Sequence, residues 1–480
     1  MLSGYHFIGA QVVPGTIVVV GGGVSGLSVT FHLKGLMGHR PDPATVICLE
    51  AAQRPGGNIC TSKEEGFVCE WGPNGFLDNE PATLDLVRAL GIEDRLLPSN
   101  ETAKKRFVFR GGRLHRLPSG PLSFLRSDLL SLRGRLRLLA EPLAPARHDD
   151  GDESVLDFAS RRIGPEAASI LVDAMVSGIW AGDVRKLSLD AAFPKMSRME
   201  AEHGSLFRAM LSRRRRARAS RAPSGGPAGP GGRLTSFKGG MNELIDALAA
   251  AIEPGLRLGV QVTRITRSGE RGFRVHLSEG GPMDASVVVL ACPAWSAATV
   301  VSSMDPEMSG SMKAIEPSPI AVVHLGYDPD DMVERPEGFG FLVPRGQGPR
   351  ILGSLWTSSI FQGRAASGRI LLTCMIGGAH DREITALSDP DLIAITREDL
   401  RTVMGITSTP RFVRVFRHRR GIPQYNLGHL DRVRLIKNRL DEHPGLLVCG
   451  NSYRGVSVNA CAAEAPGIAE AALALAEGGS

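Results

Sequence analysis

A chain of 480 residues that is 42% hydrophobic and 22% charged has an ordinary globular composition, which excludes a wholly disordered, collagen-like or disulfide-stapled protein. At roughly 150 residues per domain it has room for about three lobes or one large interrupted domain. Lys and Arg (56) exceed Asp and Glu (50), but Arg213, Arg214, Arg215, Arg216, Arg218 and Arg221 lie on one segment and account for the whole +6 excess, so no basic face for nucleic acid is expected.

The first predicted element is Thr16 to Val20, a β-branched run of strand length that enters Gly21-Gly22-Gly23-Val24-Ser25-Gly26 and then a helical pattern through Leu36. A second strand, Thr45 to Leu49, ends in Glu50, which completes one βαβ unit. Beyond Pro81 the pattern is mainly helical: Thr83 to Leu90, Leu122 to Leu143, Val155 to Arg162 and Glu166 to Val176. Ser212 to Gly232 is Arg-rich, then Ala, Pro, Ser and Gly, and with little to bury it reads as a disordered linker. A helix over Asn242 to Ala251 follows, then strands near Arg257 to Ile265, Gly272 to Leu277 and Ser286 to Ala291. Ile320 to Tyr327, Gly340 to Val343, Ile351 to Trp356 and Ile370 to Ile376 form a further strand-rich stretch. Strand Leu446 to Cys449 stops at Gly450, and Ala460 to Leu475 is the last helix. The N-terminus lacks a basic region followed by an apolar one, so export is not expected. No run reaches the roughly 18 apolar residues of a bilayer span. Seven scattered cysteines without a CxxC pair read as buried thiols in a reducing compartment.

Glycines at 21, 23 and 26 between strand and helix permit a tight turn, close approach of backbone to a pyrophosphate and close helix packing, and Glu50 sits where a carboxylate can hold a ribose. Arg54-Pro55-Gly56-Gly57 adds a second glycine turn that a nicotinamide enzyme does not need. The closing segment Gly450 to Ala460 enters a helix whose positive end suits a flavin ring. Three glycine-rich turns therefore point to FAD. No GxSxG, HExxH or tight His/carboxylate cluster suggests hydrolytic or metal chemistry, so neither a catalytic side chain nor a metal site is assigned.

GGGVSG, Glu50, Gly56-Gly57, Glu70-Trp71-Gly72-Pro73-Asn74-Gly75 and GNSYRGVSVNAC resemble the flavin amine-oxidase superfamily. Lys105-Arg106-Phe107, Gly178-Ile179-Trp180-Ala181-Gly182-Asp183 with Leu187-Ser188, Gly338 to Pro344 and Ile422 to His429 resemble its protoporphyrinogen oxidase branch. The resemblance covers nearly the whole chain. It implies an α/β fold with a discontinuous, Rossmann-like FAD-binding domain (14–80, 233–300 and 440–480), an inserted helical membrane-binding domain (81–211) and a mixed-sheet substrate domain (301–439), with 212–232 as linker. It implies noncovalent FAD, one per chain, and six-electron oxidation of protoporphyrinogen IX by dioxygen with release of hydrogen peroxide. Coproporphyrinogen III, amines and carotenoids are alternative substrates, and a flavin-free binding module is the non-enzymatic one. Arg106 matches the arginine for a substrate carboxylate, Gly178 a glycine whose backbone faces the macrocycle, and Phe339, Leu342, Leu355 and Met375 the apolar walls. Cofactor contacts are expected at Gly21, Gly22, Gly23, Val24, Ser25, Gly26, Glu50, Ala51, Gly56, Gly57, Asn58, Gly72, Pro73, Asn74, Gly75, Val262, Asn451, Val456, Ser457 and Val458. Asn58 stands where many superfamily members carry Arg, and the 212–232 insert is longer and more basic than the family's linker.

Leu125, Leu129, Leu132, Leu136, Leu139 and Leu143 fall on one stripe of the expected 122–143 helix, with Arg126, Arg133 and Arg137 on a flank. Such a helix lies on an anionic membrane surface or packs into a core. A cytoplasmic protein is expected, with peripheral attachment to the cytoplasmic membrane and a homodimer both left open.

Overall fold

A computed structural model describes residues 15–38, 44–118, 123, 127–147, 151–220, 232–269, 272–332, 334–366 and 368–478. The chain divides into two compact units, each assembled from separate stretches.

One unit comprises the chain up to Gly57, Leu244–Ala314 and the chain from Asp431. Its centre is a five-stranded sheet in the order Leu256–Leu258, Thr45–Glu50, Thr16–Val20, Val287–Leu290, Leu446–Val448, parallel throughout. The Ile-Val-Val-Val and Val-Val-Val-Leu cores of its middle strands are buried, the near-continuous apolar pattern of strands covered on both faces. Helices Val24–Met37 and Val458–Glu477 pack on each other and on the sheet. An antiparallel three-stranded sheet, Val262–Ser268, Gly272–Leu277 and Met283–Ala285, completes the unit.

The second unit comprises Asn58–Glu243 and Ile315–Leu430. Its seven-stranded sheet runs Phe412–Pro423, Pro317–Tyr327, Ile370–Gly377, Ile351–Leu355, Gly340–Leu342, Arg106–Arg110, Arg113–Arg116, antiparallel except where Gly340–Leu342 meets Arg106–Arg110. Alternation divides its residues by face. Phe109, Val323, Leu325, Phe341, Cys374 and Ile376 join Leu392 and Leu400 of helix Asp389–Met404 in one core. Val108 and Leu342, on the opposite face, pack with Leu130, Ile170 and Ala174.

Several expectations need correction. Residues 58–80 pack with the second unit, not with the glycine-loop sheet. Within the mainly helical 81–211 stretch, Arg106–Arg110 and Arg113–Arg116 form a hairpin that belongs to the seven-stranded sheet and not to a separate helical lobe. Among the described residues of the expected 122–143 helix, Leu132–Leu139 is helical and Glu141–Leu143 forms a 3₁₀ turn. Ser131 caps the first of these by accepting the Gly134 N–H at 3.0 Å, which sets a helix start at Leu132 inside the expected stretch. Leu129 lies in the core, while Leu125 and Arg126 fall outside the described residues. The arginine run is not linker at its start: helix Leu206–Ser220 runs through it, as the high helix propensity of Arg and Ala favours. Residues 221–231 lie outside the described residues.

Candidate functional site

In the first unit, the loops that leave the C-terminal ends of the parallel strands build a cradle, where open α/β sheets take their ligands. Gly21 has φ 113°, and a Cβ on Gly26 would fall 1.9 Å from the Gly21 carbonyl oxygen, so the helix starts as close to the strand as backbone permits. Gly23 caps helix Val24–Met37 without a side-chain acceptor, which leaves the positive end of the helix for an anion. The Glu50 carboxylate accepts the Gly22 N–H at 2.7 Å and the Ala52 N–H at 2.8 Å. Gly56, expected as a second approach point, folds back on the first loop: its N–H donates to the Gly22 carbonyl at 2.7 Å, and it bridges Gly23. Arg54 clasps this turn through the Gly57 carbonyl at 2.8 Å. Val262 is buried in its strand, and the Val260 N–H donates to the Glu50 carbonyl at 2.9 Å. Ser457 caps the helix Val458–Glu477 by accepting the Ala460 N–H at 3.1 Å. Gly450 donates to Glu464 at 2.9 Å, whose carboxyl burial pushes upward in pKa. Glycines where no Cβ fits, an uncapped helix end and an oriented carboxylate fit a dinucleotide.

In the second unit, strand register brings the predicted wall residues together. Arg106, Gly340, Leu355 and Thr373 lie in one row across four strands, and Val108, Leu342, Gly353 and Met375 in the next. Arg106, Leu342, Leu355 and Met375 therefore occupy one sheet face, away from the core beneath the 389–404 helix. The Arg106 guanidinium lies over the Phe339 ring at 4.8 Å. Among the described residues no carboxylate pairs with it, whereas its neighbour Lys105 is bound to Glu337 at 2.5 Å. Crowding by protein draws the Arg106 pKa down through desolvation although the side chain is exposed; an anion would relieve both conditions. Gly178 sits in helix Asp173–Trp180, where an added Cβ would meet Leu342 Cδ2 at 2.8 Å.

Asn58, Gly72, Pro73, Asn74 and Gly75 belong to this second unit, where Asn58 and Trp71 are tied to strand Phe412–Pro423. His418 donates to the Trp71 carbonyl at 2.7 Å, the Trp71 ring stacks on Phe416 at 4.6 Å, and Asn58 donates to the Gly421 carbonyl at 3.3 Å. Gly72 and Gly75 leave no room for side chains, with Asn58 O and Thr235 O at 2.4 and 2.5 Å from their would-be Cβ atoms.

Sequence reasoning missed two features of this unit. A cavity of about 390 Å³ opens near Ser177, Gly182, Arg345, Arg350, His380 and Asp381. Its arginines are occupied, Arg345 by Asp173 at 2.8 Å and Arg350 by Asp381 at 2.7 Å, in contrast to Arg106. The other is a buried polar chain: His324 bonds the Glu70 carbonyl and Thr373 Oγ1, each at 3.0 Å, and Thr373 bonds Thr357 at 2.6 Å. No spacing in the sequence marks these residues, since sheet pairing alone brings them together.

Residues 24–473 match the model of the flavin-containing amine oxidoreductases. Coproporphyrinogen III oxidase of Bacillus subtilis (strain 168) is 32% identical over 463 residues, covering 93% of this chain and 95% of that protein. Chloroplastic protoporphyrinogen oxidase of Oryza sativa subsp. japonica is 32% identical over 466 residues, covering 92% and 85%. A crystal structure from Exiguobacterium sp. 255-15 superposes with a TM-score of 0.80 at 25% identity, covering 96% of this chain and 99% of that one. With a cradle shaped for a dinucleotide and a match over almost its full length, the chain belongs to the family of flavin-containing amine oxidoreductases.

Proposed function

We propose that the protein oxidises protoporphyrinogen IX to protoporphyrin IX with noncovalent FAD, consuming three dioxygen and releasing three hydrogen peroxide as six hydrogens leave the macrocycle. The observation that carries this reading is Arg106, a desolvated cation without a carboxylate partner among the described residues, at the edge of an apolar sheet face. FAD, when bound, supplies a two-electron acceptor that dioxygen restores. The chain's own residues bind and orient. Arg106 holds a propionate in paired hydrogen bonds while Phe339 supports the guanidinium plane. Leu342, Leu355 and Met375 receive the apolar ring and exclude water, and Gly178 lets backbone approach it. On the cofactor side, the 21–26 turn faces the diphosphate and Glu50 the ribose hydroxyls.

Coproporphyrinogen III is the second reading, favoured by the Bacillus subtilis relative. Attachment to a membrane surface on the cytoplasmic side is supported by Leu132, Leu136, Leu139 and Leu143, exposed by 66, 58, 41 and 84%. Among the described residues no helix is long and apolar enough to cross a membrane.

The test is porphyrin fluorescence after mixing the purified protein in air with each porphyrinogen, against a heat-inactivated control. Faster emission from protoporphyrinogen IX is the expected result, and preference for coproporphyrinogen III selects the second reading. No rise with either substrate from flavin-loaded protein overturns both.

A further inference from the structure

The last helix of the first unit, Val458–Glu477, carries three carboxylates, and only one of them turns inward: Glu470 and Glu477 are exposed, whereas Glu464 is partly buried. Side chains on a helix lean toward its N-terminus, so the carboxylate of Glu464, the seventh residue of the helix, reaches back past the helix start to Gly450. There Oε2 accepts the Gly450 N–H at 2.9 Å. The parallel sheet satisfies the Cys449 N–H through the Leu290 carbonyl at 3.1 Å, and the next amide, that of buried Gly450, falls to Glu464. A buried N–H left without an acceptor costs more than the bond contributes when made. The 450–458 loop that this bond closes holds Asn451, Val456, Ser457 and Val458, the residues expected to meet the cofactor. At its far end Ser457 accepts the Ala460 N–H at 3.1 Å. Between the two ends, the Gly450 carbonyl accepts the Tyr453 N–H at 3.2 Å and Ser452 Oγ accepts the Ala294 N–H at 3.0 Å. The Cys461 thiol, one turn before Glu464, bonds Ser25 and the Asn451 backbone. A Cβ on Gly450 would lie 3.4 Å from Ser25 Oγ, so the loop begins directly against the first turn of helix Val24–Met37. One carboxylate thus fixes the start of the loop where it stands against the 21–26 turn.

We propose that Glu464 is a positioning residue for the cofactor: by accepting the Gly450 N–H it holds the 450–458 loop against the 21–26 turn in the shape that receives the flavin half of FAD. The proposal rests on the FAD reading given above. The 21–26 turn, Glu50, the 450–458 loop and Glu464 all belong to one compact unit. Burial pushes the Glu464 carboxyl upward in pKa, against the pull of the Gly450 N–H and of Arg454. The bond needs an acceptor and not a charge, and a glutamine presents an acceptor of the same reach.

The test compares wild type, Glu464→Met, Glu464→Gln and Glu464→Asp, each stripped of flavin, for FAD affinity by flavin fluorescence titration and for ADP affinity by titration calorimetry. Glu464→Met fills the same space without an acceptor and is expected to bind FAD at least about tenfold more weakly, the consequence of a buried amide left unpaired. ADP, which the 21–26 turn and Glu50 receive, should stay within about threefold of wild type in the same variant. Glu464→Gln should bind both ligands within about threefold of wild type. Wild-type FAD affinity in Glu464→Met overturns the proposal. So does a Glu464→Gln variant as weak as Glu464→Met, and so does an equal loss of ADP and FAD, which would assign Glu464 to the stability of the unit as a whole. If Glu464→Met does not accumulate, Glu464→Asp, which draws the carboxylate back by one methylene, decides alone: weaker FAD binding with ADP unchanged supports the proposal, and wild-type affinity for FAD overturns it. Wild-type protein that takes up no FAD overturns the cofactor reading itself, whatever the variants do.

Discussion

Arg106 is the residue whose surroundings state its chemistry most directly, because the cations beside it are already neutralised. Lys105 has Glu337, and Arg110 has Glu166 at 2.9 Å. Arg106→Ala should therefore raise KM for the porphyrinogen by roughly 10- to 100-fold, the loss of about 1.5–3 kcal/mol for a hydrogen bond to a charged group, with flavin content unchanged. Unchanged KM in steady-state assays removes the carboxylate role. His324 carries a different prediction. A carbonyl can only accept, so Nε2 bears the proton facing Glu70, and Nδ1 accepts from Thr373. Burial lowers its pKa from 6.5 to about 4. A histidine whose folded pKa is depressed stabilises fully above the unfolded value and loses that contribution as pH falls from 6.5 toward 4. The loss approaches about 3 kcal/mol at the lower limit. Denaturant midpoints between pH 7 and 4 should fall more steeply for wild type than for His324→Gln, and parallel curves refute the assignment. The motif around Arg106 marks that residue in the sequence, whereas nothing marks His324, because a lone histidine in an apolar strand carries no sign of what will lie opposite.

At the level of elements, legibility followed how fully a segment is buried. Thr16–Val20 and Gly272–Leu277 were read to the residue, since apolar strands with glycine or charged boundaries leave little choice. Phe412–Pro423 was missed as a strand: it reads Arg-Val-Phe-Arg-His-Arg-Arg, with the polarity of an edge strand paired on one side only. The leucine stripe was half right. Its helix is short, and Arg137 is engaged with the Arg161 and Arg162 carbonyls at the end of the neighbouring helix Val155–Ile163, at 2.5 and 3.1 Å. What survives is an apolar row, Leu132, Leu136, Leu139 and Leu143, open to solvent. Leu132→Ser/Leu136→Ser should reduce binding to anionic vesicles by at least about tenfold, from the apolar area withdrawn, and leave turnover of dissolved porphyrinogen unchanged. Equal co-sedimentation of variant and wild type excludes this row as the contact.

On the scale of the whole molecule, the chain passes between its two units four times, near residues 57, 243, 314 and 430. The family resemblance implies a discontinuous arrangement with other boundaries. The resemblance groups 58–80 with the glycine loops, whereas bonds from the Met241 amide to Glu70 and from His324 and His418 to the Glu70 and Trp71 carbonyls hold them to the second unit. A ligand that binds only the folded cradle must stabilise it. Stripped protein returned to FAD at about 100 times Kd should gain about 2.7 kcal/mol, read as a rise in denaturant midpoint. No gain would show that the cradle does not bind FAD.

The parallel sheet also has a consequence for how the protein is made. In synthesis, the partner Val287–Leu290 follows strand Thr16–Val20 by 270 residues, and the outer strand Leu446–Val448 follows later still. At roughly 5–20 residues per second, the edge of Thr16–Val20 not covered by Thr45–Glu50 waits about 15–50 seconds for its neighbour and longer for the sheet to be complete. Slow elongation or excess synthesis lengthens that exposure, so recovery of intact protein should depend on nascent-chain chaperones more than on the stability of the finished fold.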